Sequence, residues 1–213
     1  MKTLKKTSDL PQAPRCHIHE KAAAFESAQN EHGLLLDLLF NAMHAPAQPL
    51  RADSCRFERC VFAHAHGTSE FLDCVFDHCD FSGADLSETH FCRCQFSHCR
   101  MSGTDLIQST LRDVTFEDCA MDYAGFGGSR FDRCRFHSCS LKESGFSNCT
   151  HKSLQFLSCR LDRSEFASTS LSSLHFESDE ISGIIVSPEL LRGLSVRADQ
   201  ALELSRLLGL HIV

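Results

Sequence analysis

The chain has 213 residues, a formal net charge of −7 and an apolar content of 42%, enough for one large domain with small terminal pieces. Residues 51–186 hold 13 basic and 20 acidic side chains, against five of each in 1–50 and three of each in 187–213, so the middle segment carries the whole negative excess. That balance speaks against direct nucleic-acid binding, which needs clustered Lys and Arg, and no run approaches the ~18 apolar residues of a membrane span. Lys2, Lys5 and Lys6 are followed by Ser8-Asp9-Leu10-Pro11 rather than an apolar signal core. The expectation is a cytoplasmic protein whose 13 cysteines stay reduced, with no membrane association.

Residues 1–50 read as an N-terminal helical cap or extension. Short helices are predicted over 19–28 and 34–43, separated by Asn30-Glu31-His32-Gly33, with Leu34-Leu35-Leu36 and Leu38-Leu39-Phe40 packed on the element that follows. A partner-binding helix is the alternative to a cap. Pro46 and Pro49 end the segment.

Residues 51–186 repeat with a period of five. Stepping from Phe71 through Phe76, Phe81, Leu86, Phe91, Phe96 and Met101 to Val186 gives 24 positions, of which only His151 is not large and apolar. With Phe57 and Phe62, which begin the pattern out of phase, 15 of the 17 phenylalanines follow it. Two residues before each large position lies a mostly small one, a register that takes 11 of the 13 cysteines and omits only Cys16 and Cys92. A period of five is neither helical nor that of a simple strand, whereas residues two apart share a strand face. Each unit therefore points one large and one small side chain inward and turns a corner. Four units close a 20-residue square coil, and six to seven coils at the strand spacing make a rod of about 30 Å.

The runs Phe81-Ser82-Gly83-Ala84-Asp85-Leu86 and Gly103-Thr104-Asp105-Leu106 resemble the A(D/N)LXX signature of the pentapeptide-repeat family, and Cys134-Arg135-Phe136 is similar to its Cys-X-Phe variant. The resemblance implies an all-β solenoid, the right-handed quadrilateral β-helix, over nearly two thirds of the chain.

Residues 20 apart should stack. Cys79, Cys99, Cys119, Cys139 and Cys159 then form an interior column, which reads either as metal or redox chemistry or as small buried packing. Cys92, on an outward position, is the more reactive thiol, and Cys16 is a second exposed candidate. Asp73, Arg93, Asp113 and Arg133 form an outward ladder of alternating charge that sets register. His78 and His98 stack outward with no third ligand in register, so no metal and no cofactor is predicted. The step from Phe62 to Phe71 is nine rather than ten, a slip or small loop. His151 is either a tucked imidazole or a bulge used for contact, and Asp179 sits on the small register near the end of the tube.

Glu70, Asp73, Asp77, Asp80, Asp85 and Glu88 occupy outward positions with no Lys or Arg between Arg59 and Arg93, and Asp105 shares a face with Asp85 and Glu165. These acids form either a solvated surface or a partner-binding face that copies the field of DNA. Residues 187–213 read as a capping and dimerisation module. Ser187 as N-cap, Pro188 at the first helical position and Glu189 in the first turn start a short helical turn, residues 197–208 form an amphipathic helix ended by Gly209, and Leu210 to Val213 can add a closing strand. This tail is similar to that of the quinolone-resistance pentapeptide proteins. The resemblance implies a homodimer through Leu204, Leu207, Leu208, Leu210 and Ile212, and a DNA-mimicking role on DNA gyrase or another type II topoisomerase. With no Gly-rich phosphate loop, HExxH or GxSxG present, the chain is read as non-enzymatic. The alternative is a scaffold or effector with another protein partner.

Overall fold

The structure is a computed structural model and describes residues 10–16, 18, 20–29 and 32–209. Parallel strands stack into a β-solenoid of about 8 turns with little helix. Inward positions follow the stride of five: of the 24 large positions only His151 is not fully buried, and all 24 positions of the small register are buried. His151 is tucked rather than bulged outward, its Nε2 donating to the Ser170 carbonyl at 2.6 Å.

The register runs Phe57 to Phe76, then Phe76 to Phe96 to Phe116 to Phe136 to Phe156, all as parallel Cα partners. The slip expected between Phe62 and Phe71 is the cause of the shorter first step. There Gly67 has φ 86°, and a Cβ on it would stand 2.9 Å from Pro49 Cγ, so a side chain is excluded on both counts.

The N-terminal segment differs from expectation. Leu34–Leu36 and Leu38–Asn41 are strands, not a helix, and pair in parallel with Arg51–Asp53 and Arg56–Glu58. The tube therefore begins before residue 51, which is why it has more turns than the six to seven counted from the repeat. Only a single helical turn, Phe25–Ala28, replaces the helix expected over 19–28. The reason lies in spacing: Leu35 and Phe40 are both 0% exposed and lie five apart, while Leu34, Leu36, Leu38 and Leu39 remain partly or wholly accessible. A helix would have buried a stripe at three- and four-residue steps.

Corners are made at the second residue after each large one. From Asp73 and His78 to Ser173 and Gly183 these residues adopt left-handed φ between 50° and 71°, Ser178 excepted. Most are not glycine, and left-handed backbone costs roughly 1–2 kcal/mol per residue. Hydrogen bonding offsets it, because each corner N–H aims along the tube: Asp73 donates to Cys92 O, His78 to Ser97 O and His98 to Glu117 O, each at 2.9 Å.

At the far end, Ser195 bridges His175, and the α-helix Ala198–Ser205 with the 3-10 turn Arg206–Leu208 lies across the last coil. The expected Ser187 cap is absent, since Ser187 Oγ instead accepts from Ser168 N–H at 3.3 Å. Gln200, 3% exposed, closes the tube: its Nε2 donates to Phe176 O and Asp179 O, and its Oε1 accepts from Arg197 N–H. Among the described residues no helix is long and apolar enough to cross a membrane.

Exposed Ser138 (φ 54°) tests the corner rule without a packing change. Ser138→Val should lower the unfolding free energy by about 1–2 kcal/mol, and Ser138→Gly should be neutral or stabilising. Urea denaturation of both variants checks this ordering.

Candidate interaction surfaces

The coil register decides which acids share a side. Glu70 to Glu88 spans almost one 20-residue turn, so Glu70, Asp73, Asp77, Asp80, Asp85 and Glu88 encircle the rod instead of lining one face. Neighbouring coils also neutralise most of them. Glu70 pairs with Arg51 at 3.1 Å, Asp80 with Arg100 at 2.7 Å, and Asp77 with Arg56 at 3.8 Å, while the adjacent His78 ring adds a hydrogen-bond contact to Asp77 at 2.9 Å. Arg100 beside Asp80 shows how a basic residue distant in sequence arrives from the next coil.

Asp73 is not available at all. It is 5% exposed, held by Nε and Nη2 of Arg93 at 2.7 and 2.6 Å, and the Arg15 backbone N–H donates to the same carboxylate at 2.9 Å. Asp113 repeats the arrangement with Arg133 and with Gln12 N–H. The expected ladder therefore exists as two buried rungs, covered by the N-terminal segment running along them. Burial opposes ionisation of both carboxyls, but the arginines and backbone N–H donors outweigh it and hold them below the usual carboxylate range. Cys16, in this segment, is half-buried, and its thiol donates to Ser54 O at 3.1 Å.

Asp85, Glu88 and Asp105 form no ion pair among the described residues. Asp85 instead accepts from the hydroxyl and N–H of Ser87, and Asp105 from Ile107 N–H. A ladder of bridges joins Asp85, Asp105, Gly125, Gly145 and Glu165 in one column. That side has no side chains at its middle two positions, is acidic at both ends, and carries Ile107 at 41% exposure.

Two histidines and a carboxylate meet where the sequence offered no third partner. The His78 and His98 rings stack at 4.7 Å, and Asp77, adjacent to His78 in the chain, brings its carboxylate to both. Asp77 stands in the column next to the histidines, so the 20-residue spacing that aligns His78 with His98 does not reveal it.

The interior column holds Cys60, Cys79, Cys99, Cys119, Cys139 and Cys159, all buried and all free thiols. Their Sγ atoms donate to carbonyls of their own or the preceding coil, as Cys79 does to Phe57 O at 3.3 Å. Neighbouring thiols and burial raise Cys60, Cys99 and Cys159, and burial raises Cys134 to about 12. Packing is the role this geometry supports. Cys92 is half-buried between Arg93 and Arg112, whose guanidinium reaches its sulfur at 3.2 Å. Asp179 ends the thiol column: fully buried, it accepts from Cys159 N–H at 2.7 Å through Oδ1, while Oδ2 has no hydrogen-bond partner among the described residues. Burial raises its carboxyl to about 6.

At the C-terminus, Leu204 is buried against the tube, whereas Leu202 and Leu207 are exposed at 52% and 40%. Leu207 and Ile185 border a shallow apolar groove of about 330 Å³ lined also by Ile184, Val186 and Arg206. The expected dimer residues Leu210 and Ile212 lie outside the described residues, as does the side chain of Leu208.

The pentapeptide repeat region model matches residues 69–132. No curated protein matches. Among solved structures, a trypsin-treated QnrB1 variant, described as a plasmid-mediated fluoroquinolone resistance protein, is 15% identical and covers 92% of this chain and 100% of its own, with a TM-score of 0.39. Full-length QnrB1 is 16% identical, covering 84% of this chain and 100% of its own at a TM-score of 0.35. HetL, a pentapeptide repeat protein involved in heterocyst differentiation regulation from the cyanobacterium Nostoc, is 11% identical over 80% of this chain and 90% of its own, at 0.23.

Asp179 yields a test of the interior. A carboxyl raised from its unfolded value near 3.9 to about 6 binds its proton more tightly when folded, so its contribution is favourable at low pH and is lost as pH rises through about 6. The stability of Asp179→Asn relative to the wild type should therefore be greater at pH 7 than at pH 5, by about 1 kcal/mol. Urea unfolding of both proteins across this range is the measurement.

Proposed function

For a chain that carries a pentapeptide-repeat region and folds as a pentapeptide-repeat β-solenoid, we propose a non-catalytic role as a protein-binding rod that docks its partner on the Asp85–Asp105–Glu165 side. The observation that carries this reading is the column from Asp85 to Glu165, with no side chain at Gly125 and Gly145 between acids that lack ion-pair partners among the described residues. The inward positions that could have held reactive groups are filled by packing. A partner presenting basic side chains to the two ends and an apolar contact to Ile107 fits this surface.

The second reading, a DNA mimic that binds a type II topoisomerase such as gyrase and shields it from quinolones or toxins, draws on the net charge of −7 concentrated in residues 51–186 and on the rod shape. The pairing of Glu70, Asp73, Asp77 and Asp80 with Arg51, Arg93, Arg56 and Arg100 weakens that field. Homodimerisation through the C-terminal groove, with Leu207 and Ile185 as contacts, would lengthen the rod in either case, and a cytoplasmic location is part of this proposal.

The test is affinity capture beside a gyrase supercoiling assay, each run with the wild type and with Asp85→Lys/Asp105→Lys. A stoichiometric partner lost in the double variant is the expected result. Inhibition of supercoiling at micromolar protein, also lost in the variant, identifies that partner as the topoisomerase. A partner retained at full strength by the double variant overturns the docking side.

A further inference from the structure

We propose that Asp77, His78 and His98 form a binding site for a divalent transition cation of the zinc class, bridging two successive coils. One ligand atom from each residue lies within 4.8 Å of the other two. Asp77 Oδ1 is 2.9 Å from His78 Nδ1 and 3.6 Å from His98 Nδ1. Ligands held about 2.1 Å from a tetrahedral zinc are about 3.4 Å apart, so the carboxylate already stands at ligand spacing from both rings. A small side-chain rotation closing the two imidazoles completes three corners, and water supplies the fourth, the open arrangement that three-ligand sites use.

The support of this cluster is stiff. His78 and His98 occupy left-handed corners whose N–H groups donate to Ser97 O and Glu117 O, and Asp77 pairs in register with Ser97 on the adjoining strand. Their Cα atoms are therefore fixed one strand spacing apart, and binding needs side-chain movement alone. The outer groups also suit a cation. His98 Nε2 faces Asp118 Oδ2 at 3.8 Å, which favours the tautomer that leaves Nδ1 free as a ligand, the carboxylate–histidine–metal arrangement. Arg56, the cation beside Asp77, approaches the other oxygen, Oδ2, at 3.8 Å and is already paired with Glu58 at 2.7 Å. Imidazole nitrogen with one carboxylate suits zinc, nickel and cobalt rather than calcium or magnesium, which take oxygen ligands.

The test is titration of the tag-free full chain with Zn²⁺ at pH 7.5, followed by calorimetry and thermal unfolding, with Co²⁺ absorption as the second probe. The expected result is one Zn²⁺ per chain, a raised melting temperature, and a cobalt spectrum without a thiolate charge-transfer band. His98→Asn, which tolerates the left-handed corner, should abolish both binding and the thermal shift, and Asp77→Asn should do the same. Asp118→Asn should weaken binding about tenfold. His175→Ala, at an unrelated imidazole–carboxylate pair, should bind as the wild type. No saturable binding, binding unchanged in His98→Asn, or a thiolate band pointing to Cys92 or Cys16 would each overturn the site.

Discussion

Parallel coils in this molecule must each return to the same place one rung higher, and the phenylalanine column shows what depends on it. Phe25, Phe40, Phe57, Phe76, Phe96, Phe116, Phe136 and Phe156 stack along the tube with centroids 4.3 to 5.1 Å apart and planes within 17°. Such a stack forms only if backbone hydrogen bonds hold every coil at the strand spacing. The column turns at Phe176, whose ring lies 70° from that of Phe156, and there the C-terminal helix takes over.

The same rung spacing organises the surface. Arg93 reaches Asp73, Arg100 reaches Asp80 and Arg133 reaches Asp113, each across 20 residues. Two of these pairs are largely shielded from water, where breaking one partner is far more damaging than at an exposed pair. Coil-to-coil pairing thus consumes acidic charge that the sequence alone presents as free. What remains unpaired among the described residues is the side of Asp85, Asp105 and Glu165, and the function proposed for the rod rests on that remainder.

The interior was legible because one rule, a large residue every fifth position, holds from Phe71 to Val186. The start of the tube was not. Its first coils pair residues 17 and 19 apart, Phe40 with Phe57 and Phe57 with Phe76, so the 20-residue period fails there. Five leucines within residues 34–39 also imitate a helix, although the five-residue interval between Leu35 and Phe40 was present to be read. The left-handed corners were invisible for a different reason. Tyr123, Glu143 and Arg163 have no intrinsic preference for that backbone, and the neighbouring coil imposes it. The third partner of the histidine pair, Asp77, was overlooked because it belongs to the adjacent column.

The central claim is that the stacked aromatic interior holds the coils together, and Phe116 lies in the middle of the column with 1% exposure. Equilibrium unfolding of Phe116→Ala tests it most directly. The account predicts a loss of about 3–5 kcal/mol, as for other fully buried aromatic residues. A loss below about 1 kcal/mol, the scale of a surface substitution, would contradict it.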